Sequence, residues 1–410
     1  MIAVSKKKHR LTDEEQLALT REDGQLFHDQ KGRPIELGPL SSSLADTHGH
    51  LFHAGKDERT AHVLRAVMGV SDTPGWSGQP LAPWLRDVED AGLLPGDDLR
   101  FERVAVEHER FASALWLARA ALCGVGLLGV PVDCLDLELK SMQHEPPEEW
   151  FKTDEIIRTA SGLIDLLQSW GVKPRTPRPK DLLDNVFLLA GAHPYTAVDL
   201  EQAGFDNASG PSDPRARLYE KLLDRPNTRG VGEIGLDYGP WGNKVDHDMQ
   251  KRAFARQLRW AHERNLPVEL HIRDADGDEC ATAHLDALRI LDREGVPKAG
   301  CDLHCFTSGP EVMRPFVEMG CYIAFGGAVT FSRSDDIREA AVECPAHLLL
   351  SETDSPYMAP VPLRGTACEP AMVSFSAATV ARVRADAGVA TYEETSEALW
   401  NNAQRFFGLE

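Results

Sequence analysis

The amino-acid sequence predicts a parallel (β/α)8 barrel, and three features of it carry that expectation. Eight short apolar runs end near residues 47, 132, 190, 234, 270, 303, 325 and 350, helical patterns separate most of them, and His, Asp and Glu residues gather at the run ends. Strand-helix alternation repeated eight times favours a closed parallel barrel over an open sheet. In a barrel the carboxyl ends of all strands share one face, so polar residues far apart in the chain converge there without further assumption.

At 410 residues the chain is long enough for one large barrel with insertions or for two ordinary domains. The reading adopted is an N-terminal extension, residues 1–43, and a barrel domain, residues 44–410, with insertions at about 54–108 and 137–183. The extension begins with a basic run, Lys6-Lys7-Lys8-His9-Arg10, which reads as a solvated terminus. A short helical pattern follows, capped by Thr12 with Glu15 three residues on, then a hairpin around Gly32.

The first strand leads into Asp46-Thr47-His48-Gly49-His50. Histidines at i and i+2 on an extended chain point to one face and can reach one ion. Over 54–108 the prolines Pro74, Pro80, Pro83 and Pro95 interrupt regular structure, although 60–68 reads as a short amphipathic helix. His53 and His62 read as surface residues of this insertion. A helix over 107–122 and a strand over 125–132 follow, then a second irregular stretch carrying one helix at about 155–170. Such inserts serve as decoration, lids or partner surfaces.

From 184 onward the rhythm is regular. The strand 186–190 ends in Gly191-Ala192-His193-Pro194, and the strand 229–234 carries Glu233 and then Asp237. A helix over 249–265, opened by Asp248 as its cap, precedes the strand 267–270 and His271-Ile272-Arg273-Asp274. A helix to about 294 precedes the strand 300–303 and His304-Cys305-Phe306. The strand 321–325 leads to Gly326-Gly327, the strand 347–350 to Ser351-Glu352-Thr353-Asp354-Ser355-Pro356, and a final helix covers 392–407.

Glu233, a carboxylate on an otherwise apolar strand, is costly to bury unless its charge has a partner. The partner inferred is a pair of metal ions. His, Glu and Asp without Cys suit zinc, manganese or magnesium. Glu233 can bridge two ions through its two oxygens, one ion taking His48, His50 and Asp354 and the other His271 and His304. Asp354 would accept the proton of an attacking water, and Arg273, two residues after His271, would hold a substrate phosphate. His193 either binds substrate or caps its strand end, and Asp237 accepts backbone hydrogen bonds in its turn.

The balance of 44 basic and 64 acidic side chains, a formal charge of -20, excludes a broad basic surface and predicts weak, salt-sensitive affinity for long duplex DNA. Local arginines and bound cations can still supply positive potential at a site. Eight cysteines without a CxxC pair read as reduced thiols in a cytoplasmic protein, and no apolar run reaches membrane-spanning length; a monomer is expected.

These motifs, together with Gly232-Glu233-Ile234-Gly235-Leu236-Asp237-Tyr238 and Ala359-Pro360-Val361-Pro362 followed by Arg364-Gly365, resemble the TatD-type metal-dependent deoxyribonucleases, within the amidohydrolase-like barrels. The resemblance is close over 44–53 and 184–410 and loose over 107–136. It implies a TIM-like barrel with a dinuclear metal centre held by His48, His50, Glu233, His271, His304 and Asp354, hydrolysing phosphodiester bonds in DNA. The chain departs from the family in its extension, its two insertions, and Cys368-Glu369-Pro370 where the family usually has Asn-Glu-Pro. The insertions leave from the catalytic face and would narrow the site to single strands or strand ends, or seat a protein partner. Alternatives are a small-molecule amide or ester hydrolase of the same broad group, against which stand the missing bridging lysine and the presence of Arg273, or a silent scaffold in a larger assembly.

Overall fold

In the computed structural model, which describes residues 11, 13–54, 87, 88, 90–93, 101–136, 153–205, 207 and 210–409, the eight strands lie side by side in chain order and all pairs are parallel. They are β1 (Leu44–Asp46), β2 (Val125–Asp133), β3 (Val186–Gly191), β4 (Thr228–Asp237), β5 (Val268–Arg273), β6 (Cys301–Leu303), β7 (Tyr322–Phe325) and β8 (Leu349–Ser351). The ring closes because β1 meets β8. Thr47 N donates to Ser351 O at 3.0 Å, Asp354 N donates to His48 O at 2.9 Å, and Gly49 bridges Ser355 in parallel. β3 is buried along its whole length, as expected of parallel strands packed between an inner core and an outer helical layer.

The described helices are α1 (Asp13–Asp23), α2 (Phe101–Cys123), α3 (Thr153–Ser169), α4 (Ala197–Gln202), α5 (Pro214–Leu223), α6 (His247–Arg264), α7 (Thr282–Glu294), α8 (Pro310–Glu318), α9 (Asp335–Glu343), α10 (Val373–Asp386) and α11 (Tyr392–Phe406). Most bury one stripe, whereas α2 is buried on all sides over 110–123. In α3 that stripe is Ile156, Ala160, Leu163, Ile164 and Leu167, the spacing of a single helical face. α11 opens with a capping box in which Thr391 and Glu394 satisfy each other's backbone N–H. The expected cap of α6 is corrected. Asp246, not Asp248, lies outside the helix in an extended conformation and accepts from Met249 N at 3.0 Å, while Asp248 sits inside the first turn.

The extension is tied to the barrel by its described part. Leu17, Leu26 and Phe27 are buried, Phe27 meets Phe375 of α10 edge-on at 5.5 Å, and Tyr392 Oη donates to Pro39 O. The hairpin is present as an antiparallel bridge between His28 and Pro34, with Gly32 at φ 72°. Arg119 of α2 makes a buried pair with Glu369, donating through Nε at 2.8 Å, and also donates to Leu26 O at 2.7 Å. The Cys-Glu-Pro segment thus supplies the carboxylate that fastens α2. Asp87 of the first insertion accepts from Arg21 at 2.6 Å and from Trp170 Nε1 at 2.8 Å, joining α1 to the end of α3. The basic run, Thr12, the helix expected over 60–68 and His62 lie outside the described residues. No described helix is long and apolar enough to cross a membrane.

Candidate metal centre

Strand geometry explains why the polar residues meet. β1 ends at Asp46, short of the two histidines, yet the chain stays extended beyond it: Gly49 N donates to Gly129 O and His50 N to Ser355 O. His48 and His50 therefore keep the alternation of a strand, and their Nε2 atoms face each other at 3.2 Å. β4 runs on through Asp237, and its register against β5 slips between Val231 and Ile234. This irregularity carries Gly232 and Glu233 into the barrel mouth. Gly232 is required there by close approach, since a Cβ would lie 2.8 Å from Glu269 Cβ. Asp354 sits past β8 at φ 52°, a left-handed conformation unfavourable for most side chains, so the end of β8 holds strain where its carboxylate enters the site.

The side chains sort around the two oxygens of Glu233. Oε1 lies 3.6 Å from His50 Nε2 and 3.9 Å from His48 Nε2, and both nitrogens face Asp354 Oδ1 at 3.5 and 3.6 Å. Oε2 lies 3.1 Å from His304 Nε2, 3.4 Å from His271 Nδ1 and 3.9 Å from His193 Nε2. Three triplets have ligand atoms within 4.8 Å of one another: His48, His304 and Asp354; His48, His50 and Glu233; and His193, Glu233 and His271. The rings of His48 and His304 stack at 4.0 Å between the two groups. All six residues expected as ligands are thus brought together, with His193 beside them. Arg273 closes β5 as an exposed residue, its chain packed against Gly239.

Electrostatics and hydrogen bonds set which atoms face inward. His271 Nε2 donates to Asp237 Oδ2 at 3.1 Å, because a carboxylate only accepts, and Nδ1 is the ring nitrogen that faces Glu233. Asp237 also accepts from Tyr195 Oη at 2.8 Å and from Gly239 N. Its role therefore exceeds the turn bonding expected of it. Burial opposes the charge on His271, but the hydrogen bonds to Asp237 and Glu233 outweigh it and raise its pKa to about 9. Burial drives His48 well below the usual histidine range and His193 down to about 3, so both are neutral. Because His193 Nδ1 accepts from Tyr195 N at 3.2 Å, its proton lies on Nε2, which faces the site as a donor. Burial also works against the charges of Glu233 and Asp354. The surrounding histidines outweigh it, holding Glu233 well below the carboxylate range and Asp354 at about 2.

Beneath the centre lies a layer that the sequence reading missed. Asp46, Glu269, Asp302 and Glu352 are fully buried, and each stands two residues before a residue of the centre: His48, His271, His304 and Asp354. Burial pushes the carboxyls of Glu269, Asp302 and Glu352 well above their usual range. Glu269 Oε2 is 3.0 Å from His48 Nδ1 but off the line of a hydrogen bond, so both Glu269 oxygens and that nitrogen lack a hydrogen-bond partner among the described residues. Glu352 accepts from Cys305 N and lies 4.0 Å from His304 Nδ1. His53, expected on the insertion's surface, instead stacks on His50 at 4.7 Å. The alternation of period two was the available signal for the carboxylate layer, hidden because Asp46, Glu269 and Asp302 sit inside runs read as apolar.

Nitrogen and oxygen donors with lone pairs aimed at a shared space, on the C-terminal face of a parallel barrel, define a metal-dependent hydrolase. The family described as TatD related DNase matches residues 175–408, and the chain belongs to that family. It is 33% identical over 240 residues to the uncharacterized metal-dependent hydrolase YabD of Bacillus subtilis, covering 58% of this chain and 84% of that one. It is 34% identical over 172 residues to the 3'-5' ssDNA/RNA exonuclease TatD of Escherichia fergusonii, covering 42% of this chain and 58% of that one. Among solved structures, the TatD homologue YJJV of Escherichia coli aligns with a TM-score of 0.52 at 21% identity, covering 90% of this chain and all of that one, a likeness of fold.

Proposed function

We propose that the chain hydrolyses phosphodiester bonds in DNA, at single strands or strand ends, using two divalent ions bridged by Glu233. The observation that carries this reading is the sorting of donors about the two Glu233 oxygens. His48, His50 and Asp354 would hold one ion at Oε1, and His271 and His304 the other at Oε2. Divalent ions held there would acidify a water and neutralise charge developing on a phosphoryl oxygen. Magnesium, manganese and zinc all fit the donor chemistry.

The protein's own groups do the rest. Asp354 takes the proton of the attacking water. His193, neutral and protonated on Nε2, donates to a phosphate oxygen beside Glu233. Arg273, at the end of β5, pairs with the flanking phosphate. The relative from Escherichia fergusonii, named as an exonuclease of single-stranded DNA and RNA, supports this substrate class. We further propose that residues 44–410 form the catalytic unit, with 1–43 and the two insertions as additions to it, and that it acts as a cytoplasmic monomer whose insertions are the surface for any protein partner.

The test is cleavage of an end-labelled single-stranded oligonucleotide with each metal. Glu233→Gln and Asp354→Asn should each lower the rate by roughly 10^2- to 10^3-fold or more. Asparagine tolerates the left-handed backbone at 354, so that variant removes charge without adding strain. A folded, metal-loaded wild type inert toward DNA and RNA would refute the nuclease reading.

A further inference from the structure

Three aromatic side chains stand open around the centre. Tyr195 is 40% exposed, Tyr357 54% and Trp241 63%, and the other large exposed apolar residues described are Leu285, Val361 and Val389. Tyr357 meets His50 edge-on at 5.9 Å, on the Oε1 side of Glu233. Tyr195 lies on the Oε2 side, 4.1 Å from the His193 ring and 6.4 Å from that of His271. The two tyrosines therefore bracket the centre.

Trp241 is held on the Tyr195 side by a short segment wrapped over Asp237. A Cβ at Gly242 would lie 2.2 Å from Asp237 O, and one at Gly239 would lie 2.9 Å from Arg273 Cδ. The segment thus rests on the carboxylate that orients His271 and against the arginine at the end of β5. Lys244 Nζ sits 5.6 Å from the Trp241 ring. Aromatic faces are here interleaved with two cations, Lys244 and Arg273, in a chain of net charge -20.

We propose that Tyr195, Trp241 and Tyr357 are a stacking platform for unpaired nucleobases, with Arg273 and Lys244 along the backbone of the same strand. This rests on the nuclease reading and deepens it. Every base offers a π-face, so stacking with cationic contacts to the backbone holds a strand without reading its sequence. Bases locked in a duplex cannot splay onto rings on both sides of the centre. Recognition of single strands would then come from these rings rather than from a broad basic surface.

The test uses the full-length, metal-loaded protein and two single-stranded thymidine oligomers, one normal and one with abasic residues at both terminal and penultimate positions. The normal oligomer should have the lower KM in the wild type. Trp241→Ala and Tyr357→Ala should each raise that KM on the order of tenfold. They should add little on the abasic oligomer, and Trp241→Phe should restore binding. Cleavage of both oligomers with equal wild-type KM, or losses in the variants that are the same on both, would overturn the platform and leave the nuclease standing. Failure of the wild type to cleave either would overturn both.

Discussion

Each of three imidazoles in the centre has a carboxylate behind it: Glu269 by His48, Asp237 by His271 and Glu352 by His304. Asp237 is hydrogen-bonded to its ring, while Glu269 and Glu352 stand beside theirs. A carboxylate that hydrogen-bonds a ligating imidazole fixes the ring and its tautomer, and its loss typically weakens metal affinity 10- to 100-fold. Glu269→Leu should therefore lower the affinity of chelator-treated protein for zinc or manganese by about that factor in calorimetric titration. Glu269→Gln, which still offers an acceptor to His48 Nδ1, should lose much less, and equal affinities for wild type and Glu269→Leu would rule out this role. His271 gives a pH signature in the metal-free protein. Its folded pKa, about 9, exceeds the unfolded value, so its contribution is fully present below about pH 6.5 and is lost as pH rises through 9. Thermal unfolding at pH 6, 7.5 and 9 should show a steeper loss in the wild type than in His271→Gln, and parallel curves would contradict it. The six central residues were legible in the sequence because each stands just past or within a run bounded by polar turns. The inward donor of His193 was not, since it follows from a backbone N–H reaching Nδ1.

At the scale of elements, all eight strands were legible, because short apolar runs separated by helical periods leave little choice of pairing. What local reading missed was set by neighbours. β1 stops at Asp46, and contacts with β2 and β8, not local propensity, keep His48 and His50 extended. For α6, two aspartates two residues apart look alike until the backbone shows which one lies outside the helix. The partner of Arg119 was also hidden, being 250 residues away. That pair joins α2, the extension and the segment before α10 in a buried setting. Breaking a buried pair strands the remaining charge, at a cost of about 3–5 kcal/mol. Arg119→Met should lose about that much stability in urea unfolding, and a loss below about 1 kcal/mol would show that the pair contributes little.

For the whole molecule, one face of a closed barrel gathers donors from β1, β3, β4, β5, β6 and β8, so the centre and the fold depend on each other. The helical layer and the docked extension keep the strand ends in register, the buried carboxylates sit under the histidines, and exposed rings stand at the mouth. The proposed chemistry requires two ions, held about Glu233, to act together. The most direct measurement adds manganese or zinc stepwise to metal-free protein and follows cleavage of a labelled single-stranded oligonucleotide. A two-ion centre should show little activity at one equivalent and a plateau at two, with Glu233→Gln binding fewer ions and remaining inactive. A plateau at one equivalent, or full activity in Glu233→Gln, would contradict it.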